Sequence, residues 1–277
     1  MVDTIDFDSG QAGPTLLILG AVHGNEKCGS HAIEQLISEL RAGEIEIKAG
    51  KVSFIPVCNP HAYEQNVRYV DENLNRIFYH HETPQNYEEH LANELVPILQ
   101  SYDCVLDLHS NHTASEPFGF LDYPEGKAKD FALSLGLDSV VTGWPELFYP
   151  EEDHTSSACA RRGGGISVTV ECGFHDDPHS IVVAKQSAIN AMKFFDMIDG
   201  TPDEKHTDYV HVVERVLKKS EGEFSKNWSH GDKVKKGDVI GTYDDNTEER
   251  ASVDGHIFIP NGNAVVGDEW FYIAVDQ

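Results

Sequence analysis

The stretch TLLILGAVHGNE, residues 15–26, decides the fold of this chain of 277 residues. Residues 15–20 are rich in Leu and Ile and end at a glycine, which predicts a short buried strand. His23 and Glu26 follow that strand three positions apart, so both side chains can reach one ion from a single turn. Such residues at the carboxyl end of a buried strand mark the edge where open α/β sheets place their sites.

Strand-like and helical segments alternate along the first two thirds of the chain. Runs rich in Val, Ile and Leu predict further buried strands at 52–57, 103–108 and 166–172. Apolar residues at helical spacing predict helices over 26–41, 86–101 and 180–198. Pro97 should bend or shorten the second of these helices. The alternation predicts an α/β fold, with a mixed, mostly parallel sheet covered by helices on both faces.

From about residue 203 the sequence changes to short strand-like pieces separated by glycines, which predicts a small all-β domain. We therefore predict one domain over residues 1–202 and a second over 203–277, joined near DGTPD. The second resembles the barrel-sandwich fold of biotinyl and lipoyl carrier domains. Its stretch EERASVDG has no lysine to carry such a group, so we expect no attached cofactor. Three roles remain open for this domain: it shapes a substrate entrance, it builds an oligomer interface, or it is a passive covering layer.

The charge balance excludes some classes of partner. Lys and Arg total 21 against 47 Asp and Glu, a net charge of −26, which opposes binding to nucleic acid and to anionic membrane surfaces. A carboxylate-bearing small molecule can still bind through local arginines, because salt screens the global field beyond about 10 Å. A homo-oligomer stays open.

Cysteine usage and the N-terminus indicate the compartment. The five cysteines are an odd number without paired short spacing, so we expect reduced, mostly buried thiols. The N-terminus shows neither a basic region nor an apolar one, and no apolar run approaches the roughly 20 residues of a membrane span. These features predict a soluble cytoplasmic protein.

A third metal-ligating residue follows another strand. The strand at 103–108 runs directly into His109, which should reach the same edge of the sheet as His23 and Glu26. Two imidazoles and one carboxylate, with water in the fourth position, form the ligand set of a catalytic zinc site. Asp107 either orients one of these ligands or has a structural role.

The segment VRYVDENLNRIF, residues 67–78, carries Arg68, Asn75 and Arg76. A guanidinium presents a planar fork of donors that suits a carboxylate, and a neighbouring Asn can add a hydrogen bond. The alternative is ordinary surface salt bridges to Asp71 and Glu72.

Glu171 lies in the last apolar strand, in the sequence TVECGF. A carboxylate is costly to bury at a sheet edge without a task, which indicates a general base. Other histidines could approach the site and make a second metal conceivable, but hydrogen-bonded or solvent-facing imidazoles are favoured; these are His112, His154, His175 and His179. We expect His80 and His81 at the surface.

Four motifs together, GAVHGNE, RYVDENLNRIF, DLHSNHT and VTVECGF, resemble those of the succinylglutamate desuccinylase and aspartoacylase family, which has the zinc carboxypeptidase fold. The resemblance covers roughly residues 15–200 and extends to the small β domain. It implies one zinc ion held by His23, Glu26 and His109, and water activation by Glu171.

The resemblance also implies roles for the polar segment and an activity. Arg68 would polarise the scissile carbonyl, and Asn75 and Arg76 would hold the substrate carboxylate. Further substrate contacts have only candidates: Tyr149, Arg161 and Arg162. The implied activity is zinc-dependent hydrolysis of the amide bond of an N-acyl amino acid. The alternatives are a metallocarboxypeptidase acting on peptides and a non-enzymatic metal-dependent binding protein.

Overall fold

The computed structural model describes residues 2, 4–112, 115–148, 153–203 and 205–277, with Phe148 described by its backbone alone. The strands in these ranges are β1 (Ile5–Asp8), β2 (Thr15–Gly20), β3 (Lys51–Ile55), β4 (Cys104–Asn111), β5 (Phe118–Phe120), β6 (Ser139–Thr142), β7 (Ile166–Phe174), β8 (Asp208–Leu217), β9 (Gly222–Phe224), β10 (Lys233–Val234), β11 (Val239–Tyr243), β12 (Glu248–Arg250), β13 (Gly255–Phe258) and β14 (Glu269–Asp276). The α-helices are α1 (Cys28–Ala42), α2 (Pro60–Gln65), α3 (Tyr87–Leu99), α4 (Ala128–Ser134), α5 (Trp144–Phe148), α6 (Ser156–Arg162) and α7 (His179–Phe194). A short 3-10 helix spans Leu74–Arg76.

The main sheet is mixed and mostly parallel through its centre, as the sequence predicts. Its strand order within the described residues is β1-β3-β2-β4-β7-β5-β6-β8-β14-β13-β10. Strands β3, β2, β4 and β7 run parallel to one another, and β5 turns antiparallel to β7. The carboxyl ends of β2, β4 and β7 therefore meet at one edge of the sheet.

Strand β2 is buried on both faces because alternate side chains enter different cores. Leu16 and Ile18 pack with α1 and α7, whereas Leu17 and Leu19 pack with α3 and Cys159 of α6. A strand with both faces covered reads as a continuous apolar run. This explains why the sequence identified β2 without any alternation of polar residues.

The turn between β2 and α1 is shaped by a close approach of two backbones. Helix α1 begins at Cys28, two residues after the predicted start, and the preceding turn carries His23 and Glu26. A Cβ atom on Gly24 would lie 2.1 Å from the Ala62 carbonyl carbon, so only glycine fits this turn against α2. Helix α3 includes Pro97 and ends at Leu99, short of the predicted end.

The C-terminal segment continues the main sheet. Strand β8 pairs in parallel with β6 and antiparallel with β14, so residues on both sides of the predicted boundary at 202 share one sheet. The segment also has an apolar core of its own, around Trp270 and Phe271, and a second sheet of order β12-β11-β9. The boundary between two domains stays a prediction.

All five cysteines are buried and unbonded, in agreement with the sequence analysis. Within the described residues, none of the helices combines the length and the apolar character that crossing a bilayer requires.

Candidate active site

Three neighbouring strands deliver the predicted site residues to one place. His23 and Glu26 lie in the turn after β2, and His109 lies near the carboxyl end of β4, the strand beside β2. Glu171 of β7 stands directly opposite His109 in the parallel register. The pairing of β2, β4 and β7 thus brings together residues that are far apart in the sequence.

His23, Glu26 and His109 form a compact, buried cluster, each residue only 2% exposed. Glu26 Oε1 lies 2.9 Å from His23 Nδ1, and Glu26 Oε2 lies 2.7 Å from His109 Nδ1. The two Nδ1 atoms are 3.2 Å apart. In the described part of the chain, this is the one group of three ligand-type side chains close enough to share a metal ion.

The cluster fits a tetrahedral zinc ion in its spacing and in its donors. Zinc bonds of about 2.0–2.1 Å place tetrahedral ligand atoms roughly 3.3 Å apart, close to the spacing observed. The outer imidazole nitrogens lie near acceptors: His23 Nε2 is hydrogen-bonded to Asn73 Oδ1 at 3.0 Å, and His109 Nε2 lies 2.9 Å from Asp107 Oδ2, as an ion-pair contact without hydrogen-bond alignment. Protons on the outer nitrogens leave the Nδ1 lone pairs for a metal, and the position of Asp107 supports its orienting role.

The electrostatics of two members of the cluster, Glu26 and His23, suit metal ligation. Burial alone raises the pKa of Glu26, but His23 and His109 outweigh it and hold that pKa well below its usual value. Burial is also the main reason that the pKa of His23 falls to about 4. For His109, burial lowers the pKa, yet Asp107 and Glu26 together raise it well above the ordinary value. An ionised carboxylate and a neutral imidazole are the forms that bind a metal, so Glu26 and His23 already have the required form, whereas His109 must release its proton when a metal binds.

Glu171 provides a carboxylate beside the cluster that is not engaged in the fold. Its Oε2 atom is buried and has no hydrogen-bond partner. Burial, followed by the charge of Glu26, raises the pKa of Glu171 to about 7. A carboxylate with a pKa near neutrality can take up and release a proton under the same conditions, which is what a general base requires.

Arg68 and the 3-10 helix border the cluster, as the sequence analysis expects. Arg68 Nη1 donates a hydrogen bond to Glu26 Oε1 at 2.6 Å, and its side chain is 45% exposed. Asn75 Oδ1 accepts a hydrogen bond from the backbone N–H of Ser156 at 2.8 Å. The donor atom of the same amide, Nδ2, is therefore left for other partners. Arg76 Nη1 donates to the Asn75 carbonyl oxygen at 2.8 Å.

The alternative of surface salt bridges gains no support from the acidic neighbours. Asp71 accepts a hydrogen bond from the backbone N–H of Tyr87, and Glu72 accepts one from the Asn86 side chain. Both carboxylates therefore brace the start of α3.

These residues line a cavity of about 530 Å³. Its far wall comes from outside the predicted motifs: Phe120, Asp122, Trp144, Ile259, Asn261, Asp268, Glu269 and Tyr272. The C-terminal segment thus shapes the cavity, one of the roles that the sequence left open. The sequence analysis missed Asp122, although its position after the apolar run FGFL resembles that of His109 after the predicted strand at 103–108.

The remaining candidates lie in different places. His112 lines the cavity, while His175 Nδ1 lies 2.9 Å from Ser110 Oγ. His154 packs on Tyr79, and His179 begins α7. The expectation that His81 lies at the surface was wrong.

His81 is only 9% exposed because its ring stacks on Tyr79, and its Nε2 atom lies 3.1 Å from the Ile77 carbonyl oxygen. His80 is exposed as expected.

Two of the three further substrate-contact candidates lie outside the cavity. Arg161 stacks over Tyr123 in a separate pocket. Arg162 donates to the carbonyl oxygens of Asp153 and Phe78. Tyr149 falls outside the described residues.

A mostly parallel sheet that carries two histidines and a carboxylate at the carboxyl ends of its strands has the arrangement of an α/β protein with a candidate metal site. Comparison with known proteins narrows the class further. The succinylglutamate desuccinylase/aspartoacylase catalytic domain, as a family model, matches residues 12–193. The chain therefore belongs to the succinylglutamate desuccinylase/aspartoacylase family, which confirms the resemblance found in the sequence.

Individual relatives agree with this assignment. The N-alpha-acetyl-L-2,4-diaminobutyric acid deacetylase of Halomonas elongata is 27% identical over 270 residues, covering 88% of this chain and 76% of the relative. The crystal structure of succinylglutamate desuccinylase/aspartoacylase from Rhodobacter sphaeroides superposes with a TM-score of 0.83 at 24% identity, covering 99% of this chain and 88% of that one. The product-bound ectoine utilization protein EutE (DoeB) from Ruegeria pomeroyi gives 0.82 at 23% identity, covering 99% and 89%. These structures share the fold.

Proposed function

We propose that this chain is a zinc-dependent deacylase that hydrolyses the amide bond of an N-acyl amino acid. The observation that carries the proposal is the convergence of His23, Glu26 and His109 beside the unpartnered carboxylate of Glu171. Family membership supports it, since curated relatives of this chain include the Halomonas elongata deacetylase of an N-acetylated amino acid and a succinylglutamate desuccinylase. The cytoplasmic location stays a prediction.

One zinc ion per chain, held by His23, Glu26 and His109, would supply Lewis acidity that polarises a carbonyl and acidifies water. Glu171 would accept the proton of the attacking water and later return it to the leaving amine. Its raised pKa suits this double role, because the same group must be a base first and an acid afterwards.

Arg68 and the 3-10 helix would fix the substrate. The guanidinium of Arg68, at the cluster and half exposed, would donate to the oxygen that gains charge as the carbonyl is attacked. Arg76 and the Asn75 amide would hold the carboxylate of the amino-acid half through charge-assisted hydrogen bonds. Local arginines are needed for this task, because the net charge of −26 repels an anion.

The test combines metal analysis with a substrate panel. Purified protein is assayed for zinc and then offered N-acetyl and N-succinyl amino acids beside short peptides. We expect about one zinc per chain, hydrolysis of acyl amino acids, and loss of activity on chelation that zinc restores. Hydrolysis of peptides alone would establish the metallocarboxypeptidase instead. If the purified protein contains no zinc and hydrolyses no substrate after zinc is added, the alternative of a non-enzymatic metal-dependent binding protein is favoured instead.

A further inference from the structure

Acidic side chains other than the proposed zinc ligand and base also line the cavity, and most of them are engaged. Glu269 Oε1 accepts a hydrogen bond from Arg215 at 2.7 Å. Asp268 Oδ2 accepts one from the backbone N–H of Val265 at 3.1 Å. Asp122 differs, because its Oδ1 atom is buried without a hydrogen-bond partner.

The surroundings of Asp122 carry an excess of negative charge. The negative charges of Asp153 and Glu146 raise the pKa of Asp122, and the positive charge of Arg76 lowers it. Ser157 gives its carboxyl one hydrogen bond. Burial, with the charge of Asp153 second, raises the pKa of Asp122 to about 7. A buried carboxylate oxygen without a donor is costly, so a ligand that supplies a positively charged donor would be strongly favoured here.

Aromatic rings line the same cavity. Trp144 lies 4.6 Å from Phe120 and 4.9 Å from Tyr272, measured between ring centroids, and all three line the cavity with Asp122. Aromatic faces attract cations and also pack against methylene groups. A short alkyl chain ending in an ammonium group matches both properties.

Arg76 locates this group on the substrate. The positive charge of its guanidinium lowers the pKa of Asp122, and its Nη1 atom donates a hydrogen bond to the Asn75 carbonyl oxygen. Arg76 and Asn75 are the residues proposed to hold the substrate carboxylate. A group bound by Asp122 therefore belongs to the amino-acid half of the substrate, close to its carboxylate.

We propose that Asp122 is a specificity-determining residue that binds a side-chain ammonium group on the amino-acid half of the substrate. The substrate class is then Nα-acyl derivatives of diamino acids. This inference rests on the proposed deacylase function and adds to it the residue that selects the substrate.

Matched substrates of equal carbon-chain length test the inference. Nα-acetylornithine is compared with N-acetylnorvaline, and Nα-acetyllysine with N-acetylnorleucine, so each pair differs only in the ammonium group. We expect the cationic member to show about ten- to a hundred-fold higher kcat/KM, the effect of one charge-assisted hydrogen bond. Asp122→Asn should bring that ratio close to one. Glu125→Gln, an exposed carboxylate outside the cavity, should preserve it.

The outcomes separate this inference from the proposed function. Equal rates within each pair, or a preference for N-acetylaspartate, would overturn the role of Asp122 while the deacylase stands. An equal loss for both members in Asp122→Asn, with an unchanged ratio, would show that Asp122 only positions Arg76.

Failure to hydrolyse any acyl amino acid would instead refute the proposed function. Calorimetric titration of the wild-type protein with free ornithine and free norvaline then decides the binding claim alone. Tighter binding of ornithine supports Asp122 as an ammonium site, and equal binding or none overturns it.

Discussion

Replacing Glu171 by Gln isolates the proton acceptor from the rest of the site. The amide keeps the shape of the side chain, and it breaks no hydrogen bond at Oε2, because that atom has no partner. What disappears is general-base catalysis, which contributes about 10²- to 10⁴-fold. At about 1.4 kcal/mol per tenfold change in rate, this loss of turnover corresponds to a rise of roughly 3–5 kcal/mol in the activation free energy. The zinc content should not change, since His23, Glu26 and His109 remain.

The folded state should tolerate this substitution. The pKa of Glu171 is raised to about 7 in the fold, so the stability linked to its protonated form is lost as pH rises through that value. Above pH 7, the metal-free Gln variant should therefore melt no lower than the wild type. The assay measures kcat, bound zinc and Tm together, with Glu125→Gln as the matched control.

Near-normal kcat in Glu171→Gln would remove this residue from the mechanism. A fall in kcat that tracks loss of zinc would mean that Glu171 acts by supporting the ligand cluster. Only a low kcat with full zinc supports the general base.

Further expectations concern the clamp, the ligand support, the turn and the pH response. Arg76→Ala should raise KM about ten- to a hundred-fold with a smaller effect on kcat, and an unchanged KM would contradict the clamp. Asp107→Asn should weaken zinc affinity about ten- to a hundred-fold in a chelator competition, and an unchanged affinity would show that Asp107 does not orient His109. Gly24→Ala should lower Tm by several degrees, because a Cβ atom would meet backbone 2.1 Å away; an unchanged melting curve would show that the turn can move. The preference for Nα-acetylornithine over N-acetylnorvaline should decline as pH falls below about 7, as protonation removes the charge of Asp122, and a flat ratio would argue against it.

The sequence was most informative where strands are buried on both faces. The apolar run of β2 is unbroken because helices cover both of its sides, the central residues of β4 and β7 are also mostly apolar, and a parallel arrangement places the carboxyl ends of the three strands together. Polar side chains at those ends, His23, His109 and Glu171, could therefore be assigned to one place before any contact was known.

The far wall of the cavity could not be derived in the same way. Strand β5 has three residues and β6 has four, too short to show a period. Asp122 and Tyr272 line one cavity because β6 pairs with β8 and β8 with β14, and no local pattern encodes such long-range pairing. His81 is buried through contacts with the neighbouring Tyr79 and Ile77, which polarity alone does not indicate.

The pairing of β6 with β8 has a mechanical consequence. Strands β5 and β6 connect β7, which bears Glu171, to β8 and β14, and Tyr272 of β14 forms part of the opposite cavity wall. The base and this wall are thus joined by a continuous ladder of backbone hydrogen bonds, so the C-terminal segment cannot swing away as a hinged lid without unzipping a strand pair. Cutting the chain at residue 202 would expose the edge of β6 and leave the cavity open on one side.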